Sequence, residues 1–251
     1  MSIHKAEALV IGRRDFRETS LIVNFYTREF GKLSGILKGI RKEPEKFASP
    51  VETFSCNDIV FYKKRDTSLH LVSQCDLKYD FHPLRNNLPR MTASSVMVEL
   101  VNSLMLEEDK NEEVFDLTVQ SLKELETNPN PEKIVTIFKI KMLSISGFKP
   151  HFDSCVSCNS RIIGESKFSL SMGGLICPGC YNKDIKARSI FRGTIASILH
   201  IQKNDFKTNL NLGLNPQIKR ELDGILTAFL NFHLGKELWS EKVMNRIGGA
   251  A

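Results

Sequence analysis

The first 80 residues fall into short stretches in which apolar and polar positions alternate, and beyond them the spacing of apolar residues changes to three and four. Such a switch of period marks a passage from strands to helices. Lys5–Ile11 is a short apolar run. Ser20–Thr27 is rich in β-branched and aromatic residues and sets Leu21, Val23 and Phe25 on one face. After Gly31, Lys32–Lys38 alternates, with Leu33 and Leu37 facing one way and Lys32, Ser34, Ile36 and Lys38 the other. Ile59–Tyr62 and Leu69–Leu77 supply two further strands, joined across the polar tip Lys63-Lys64-Arg65-Asp66. Five short strands separated by polar turns predict a small closed barrel, since an open sheet would leave edges that need cover.

The helical part begins after Phe81–Pro89. Pro89 opens a helix through Val96, Leu100 and Leu104, because a first-turn position does not need the missing amide donor. Asn111 caps a second helix with Val114, Leu117, Leu122 and Leu125 inward. Asn128-Pro129-Asn130-Pro131 breaks it, and a third helix carries Ile134, Ile137, Phe138, Lys141 and Ile145 as far as Gly147. Two more follow at Phe191–Gln202 and from Asn215-Pro216 to Gly235, the latter with Ile218, Leu222, Ile225, Leu226, Phe229 and Leu230 on one stripe. Gly248–Ala251 reads as frayed. The predicted organisation is α+β and multi-domain: strands over 1–80, helices over 81–150, a cysteine segment over 151–183, and helices again over 184–247.

The cysteine segment is the most specific signal. Cys155-x-x-Cys158 and Cys177-x-x-Cys180 are separated by eighteen residues, within the spacing of structural zinc sites. Two residues between thiols let both sulfurs point at one ion, and two such turns complete a tetrahedron. Gly173-Gly174, between Lys167–Met172 and Leu175–Cys177, predicts a two-residue hairpin that carries the second pair back to the first. Iron can use four thiolates too, and His151 is close enough to compete as a ligand, though with four thiols it reads as a surface or hinge histidine. Four protein ligands leave no open position for activating water, so one structural Zn2+ per chain is expected. Cys56 and Cys75 lie singly in strand-like segments and read as small core hydrophobes.

Composition narrows the class. The chain has 251 residues, 41% hydrophobic and 25% charged, with no apolar run near the roughly 18 residues of a membrane span. Its N-terminus is charged too early for a secretory signal, so an intracellular, reducing compartment is expected and a disulfide framework is not. The net charge of +6 is unevenly placed: +4 over residues 1–50, −2 over 81–150 and +5 over 151–251. Basic ends around an acidic middle fit a polyanion held by separated parts of the molecule. No phosphate-cradling glycine loop, GxSxG, HExxH or DxDxDG occurs, so no enzyme is predicted. The candidate phosphate contacts are Arg13, Arg14 and Arg17 between the first two strands, Lys32 and Lys38 on the third, and Arg41 and Lys42 after it. Tyr26 or Phe30 would offer bases a stacking surface, whereas Phe16, Phe25 and Phe61 read as core and Lys63–Arg65 as a solvated tip.

The order of barrel, helices and four-thiolate segment resembles the RecO family of bacterial recombination mediators and DNA-repair proteins. The resemblance rests on Thr19-Ser20-Leu21-Ile22-Val23, Tyr26-Thr27, Gly31-Lys32, Leu37-Lys38-Gly39-Ile40-Arg41 and, late in the chain, Phe229-Leu230-Asn231-Phe232-His233-Leu234-Gly235. Lys236–Lys242 departs from the basic run expected there, with Glu237 and Glu241 inserted. The resemblance implies an N-terminal five-stranded OB-fold that binds DNA, then a helical bundle interrupted by a zinc finger. It also implies binding of single- and double-stranded DNA, annealing of complementary strands, and work with RecR and single-strand binding protein so that RecA loads, in the bacterial cytoplasm at the nucleoid. The rival readings are a zinc-stabilised interaction adaptor and a regulator that binds a defined duplex.

Overall fold

A computed structural model describes residues 2–63 and 67–248. Lys64, Arg65 and Asp66 of the expected hairpin tip lie outside the described residues, as do 249–251 of the expected frayed end. Strands β1 (Ser2–Phe16), β2 (Ser20–Thr27), β3 (Gly31–Leu37), β4 (Cys56–Lys63) and β5 (Leu69–Tyr79) form one sheet. β1 is long enough to serve two neighbours: its first part pairs with β4, its second with β2, and its register shifts between Val10 and Gly12. β2 continues to β3, and β4 pairs with β5, all antiparallel. β3 meets β5 in a short parallel ladder, Ser34–Ile36 against Leu69–Leu71, so the order β1-β2-β3-β5-β4 returns to β1. The alternation read from the sequence decides what lies inside: Ala8, Val10, Val23, Phe25, Leu33, Leu37, Ile59, Phe61, Val72 and Cys75 form one buried cluster.

Helices α1 (His82–Arg85), α2 (Leu88–Leu104) and α3 (Glu112–Thr127) follow. Asn87 and Asn111 cap the latter two, accepting from the amides of Arg90 and Val114. Next come α4 (Pro131–Ile145), the short strands β6 (Lys167–Ser169), β7 (Gly174–Ile176) and β8 (Arg188–Ser189), then α5 (Arg192–Lys203), α6 (Phe206–Leu210) and α7 (Pro216–Leu234). The chain ends its described part in α8 (Trp239–Gly248), which packs on α2. The Glu99 carboxylate of α2 accepts from the amides of Trp239 and Ser240 and from the Ser240 hydroxyl, and so caps α8.

These observations correct the expected fold class of an OB-fold barrel of five short strands followed by one helical bundle with an inserted zinc finger. The sheet is mixed, and β1 alone has 15 residues. The helices do not share one bundle. One compact unit runs to Pro131 and takes in α8, and the other is Glu132–Leu238, so α2, α3 and α8 belong with the sheet and α5–α7 with the thiolate segment. The physical reason is that an apolar stripe reveals which face of a helix is buried but not which element covers it. Among the described residues no helix is long and apolar enough to cross a membrane.

Candidate nucleic-acid interface and metal centre

The tight β1–β2 connection, Arg17-Glu18-Thr19, and the turn after β3 are bound together at one end of the sheet. The Arg41 amide donates to the Thr19 carbonyl at 3.0 Å, and Arg41 Nη1 donates to the Arg17 carbonyl at 3.3 Å. Arg41 Nη1 also lies 3.3 Å from Asp15 Oδ2. This lacing holds Arg17 in the left-handed region, at φ 54°, a conformation that costs a side-chain-bearing residue about 1–2 kcal/mol. Arg14, Arg17, Lys38, Arg41 and Lys42 are therefore brought to one end, and all five are exposed. Among the described residues no ion pair or hydrogen bond engages the side chains of Arg14, Lys38 or Lys42.

Arg13 and Lys32 are placed differently. Arg13 donates to the carbonyls of Pro50 and Val51 and pairs with Glu52 at 2.8 Å, bracing the segment before β4. Lys32 stands at the far end of β3, where Thr27 faces Gly31. Its ammonium donates to the Asn102 carbonyl at 2.9 Å and lies 3.5 Å from Glu107, with its side chain only 13% exposed. The segment between α2 and α3 covers that end. The Glu108 amide donates to the Lys32 carbonyl, and a Cβ on Gly31 (φ 66°) would stand 2.1 Å from the Asp109 carbonyl oxygen.

The aromatic expectations exchange places. Tyr26 is fully buried, its hydroxyl donates to the Asn111 carbonyl, and burial raises its phenol above the usual range. Phe30 packs with His4 and Phe61 against the interior. Tyr26 therefore presents no face to a base, and Phe30 is partly buried against the interior cluster. Phe16, read from the sequence as core, instead ends β1 half-buried beside the basic turn, with the Arg17 guanidinium 5.2 Å from its ring centre. Its position after Arg13-Arg14-Asp15 was the available signal: no apolar neighbour along the strand shares its environment.

In the second unit, Cys155, Cys158, Cys177 and Cys180 bring four sulfurs within 4.8 Å of one another. Cys158 Sγ and Cys177 Sγ are 3.7 Å apart, close to the roughly 3.8 Å edge of a tetrahedron with 2.3 Å metal–sulfur bonds. The Cys177 amide lies 3.4 Å from Cys155 Sγ, an orienting hydrogen bond of the kind that tunes a metal-bound thiolate. Burial raises the Cys155 thiol, but the amides of Cys177, Cys158 and Ser157 outweigh it and bring it down to about 6. The Ser157 hydroxyl favours the Cys180 thiolate, yet burial and the other thiols together push it up to about 11. Four thiolates this close thus need a cation to coexist, and the donor set fits a metal that favours sulfur. Cys56 and Cys75 are separate from this chemistry: burial pushes both up to about 12, and the register sets Cys56 opposite Tyr79 and Cys75 opposite Ile59.

The hairpin between the two thiol pairs differs from the predicted two-residue turn. Ser169 faces Gly174, so Leu170–Gly173 form the loop and Gly174 is a strand residue. Gly173 supplies the left-handed corner at φ 72°, while a Cβ on Gly174 would stand 2.6 Å from the His151 carbonyl oxygen. His151 lies outside the four-sulfur cluster. Its backbone bridges to Gly174 and its Nε2 lies 2.7 Å from the Ser154 hydroxyl.

Comparison with known proteins points one way. The family model described as "Recombination protein O N terminal" matches residues 1–81, and "Recombination protein O C terminal" matches residues 85–242. The DNA repair protein RecO of Syntrophus aciditrophicus is 31% identical over 250 residues, covering 97% of this chain and 96% of that protein. That of Alkaliphilus metalliredigens is 30% identical over 233 residues, covering 92% and 94%. That of Symbiobacterium thermophilum is 28% identical over 254 residues, covering both chains fully.

Proposed function

Since this chain belongs to the RecO family of recombination and DNA-repair proteins, we propose that it grips nucleic-acid phosphates at the end of its sheet where the β1–β2 turn meets the turn after β3. The protein is a recombination mediator and not an enzyme: it binds DNA, anneals complementary strands and assists RecA loading. None of these steps needs a covalent intermediate. A surface that neutralises phosphates lowers the repulsion between two strands and raises the rate at which they meet. The observation that carries the residue assignment is that Arg14, Lys38 and Lys42 are exposed and have no partner among the described residues, beside Arg17 and Arg41. Arg13 and Lys32 brace the fold in this reading.

The four cysteines hold one Zn2+, whose closed sulfur shell stabilises a segment with little apolar core of its own. RecR, single-strand binding protein and, indirectly, RecA are its proposed partners, and the bacterial cytoplasm and nucleoid its proposed location. The test is a salt titration of binding to unrelated oligonucleotides, coupled to strand annealing. Arg14→Ala, Lys38→Ala and Lys42→Ala each make the log–log salt slope shallower by about 0.7 on single strands, and annealing falls in step. Unchanged affinity and slope in all three would move the interface elsewhere. Absence of any oligonucleotide binding by the native protein would favour the adaptor reading instead.

A further inference from the structure

Phe16 is an aromatic residue in an unusual setting. It closes β1 opposite Ser20, outside the buried cluster that fills the sheet, and its chain neighbours are Arg14, Asp15, Arg17 and Glu18. Alternation along β1 puts Phe16 on the same face as Arg14, and the register continues that row outward: Arg14 faces Ile22, which faces Ile36, while Leu37 faces Leu21. Leu21 and Leu37 belong to the interior cluster, so the row carrying Arg14 and Phe16 is the outer one. Lys38 follows Leu37 at the same end. The ring and the Arg17 guanidinium lie 5.2 Å apart, and Arg41 fixes the backbone of Arg17 from the neighbouring turn. The result is an aromatic–guanidinium pair held in place by a strained residue, on the face that carries unpartnered cations.

From this geometry we infer that Phe16, together with the Arg17 guanidinium, is the platform on which a base of single-stranded DNA stacks, while Arg14, Lys38 and Lys42 take its phosphates. The inference rests on the phosphate surface proposed above and adds to it a preference for unpaired bases. Phosphate contacts alone bind any strand, whereas a ring face can be used only by a base that is not already stacked in a duplex. A guanidinium is itself planar and stacks on bases, so Arg17 extends the platform and does not block it.

The experiment compares three probes across one salt series: a labelled oligo-dT, the same oligonucleotide with abasic sites in place of bases, and a duplex. The proteins are the native chain, Phe16→Leu, and Phe16→Trp in a Trp239→Phe background so that the new indole is the only one. Phe16→Leu should lose about 5- to 150-fold in affinity for oligo-dT with the salt slope unchanged, and bind the abasic strand and the duplex as the native chain does. Phe16→Trp should restore oligo-dT binding, with its emission quenched on binding. Equal loss on all three probes, or no loss on oligo-dT, overturns the stacking role. So does an indole whose emission ignores the DNA, which decides the matter even if Phe16→Leu folds poorly. The phosphate reading is judged separately: it stands if Arg14→Ala and Lys38→Ala weaken binding to abasic and base-bearing strands alike, and falls if they do not.

Discussion

The five-stranded sheet and the thiolate segment are held by different means. Inside the sheet, Val10, Val23, Phe25 and Leu37 are completely buried within one cluster that draws on all five strands. In the thiolate segment the buried cluster is Cys155, Ile176, Cys180 and Ala187, flanked by partly buried Val156, Ile162, Met172, Cys177 and Tyr181. Two of its four buried members are themselves ligand candidates. Burying apolar area contributes about 25 cal/mol per Å2, which the sheet collects from many large side chains and the segment from few. A segment of that size needs cross-links to close its balance, and the four clustered sulfurs are placed to supply them through a metal in place of hydrophobic mass.

The strongest way to break this comparison is to remove a ligand. Cys177→Ser should abolish stoichiometric zinc, read by elemental analysis, and raise hydrogen exchange throughout 151–183 while the sheet stays protected. Structural zinc in small finger peptides is worth about 10–16 kcal/mol, so the expected effect exceeds that of any single core truncation. Full zinc retention with unchanged exchange would show that the segment does not depend on the four thiolates. The converse truncation comes next. Phe61 is 1% exposed and its ring meets His4, Phe30 and His70 at 5.4–5.7 Å. Phe61→Ala should cost the sheet about 3–5 kcal/mol, measured by denaturant unfolding, and leave the zinc content untouched.

A pH series sharpens the contrast, because each unit holds a titratable group that burial shifts, with opposite consequences for stability. Burial lowers the His70 imidazole, against the pull of Glu108 at 3.4 Å. The unfolded chain then binds the proton more readily, so this part of the sheet's stability is complete above about pH 6.5 and declines as the pH falls through that value toward the lowered one. In the second unit burial raises the Asp223 carboxyl, with Lys139 and the Thr136 hydroxyl opposing. There the folded state holds the proton more tightly, so its contribution is present at low pH and is lost as the pH rises from 3.8 through the raised value. His70→Gln should flatten the first dependence and Asp223→Asn the second, each taken as a difference from the native chain at every pH so that acid release of zinc cancels. Parallel curves for native and variant would remove the assigned group.

What was legible in the sequence was local. Ser20–Thr27 has the bounds that its run of β-branched and aromatic residues predicts, and Asn111 and Asn215 cap their helices as their spacing implies. The four ligand candidates were legible because a CxxC pair fixes two sulfurs by sequence distance alone. Long-range partners were not. β1 runs on through Gly12, Arg13, Arg14 and Asp15, which carry no apolar signal, because β2 pairs with them. α8 went unread because the group that caps it, Glu99, lies about 140 residues earlier. The use made of the basic residues was equally opaque: Lys219 pairs with Glu132, and Lys133 and Lys141 of the same unit donate to the carbonyls of Leu210, Gln202 and Asn204. A count of charges cannot distinguish such internal braces from a free surface.

Lys32 and Lys38 test that distinction on one strand, with the smallest effect on stability. Alternation sets both on the outer face of β3, and nothing in their spacing separates them. The fold does, because the segment between α2 and α3 covers the Gly31 end, where Lys32 donates to the Asn102 carbonyl, and leaves the Lys38 end open. Lys32→Ala should therefore cost about 1.5–3 kcal/mol of stability through the lost charge-assisted hydrogen bond and leave the salt slope of DNA binding as it was. Lys38→Ala should change stability by less than about 0.5 kcal/mol and make the slope shallower by about 0.7 on single strands. The two variants share composition and net charge, so nonspecific attraction between a cationic protein and DNA would shift both slopes alike. A shift confined to Lys38→Ala requires that the open end of the sheet, and not the overall charge, meets the phosphates.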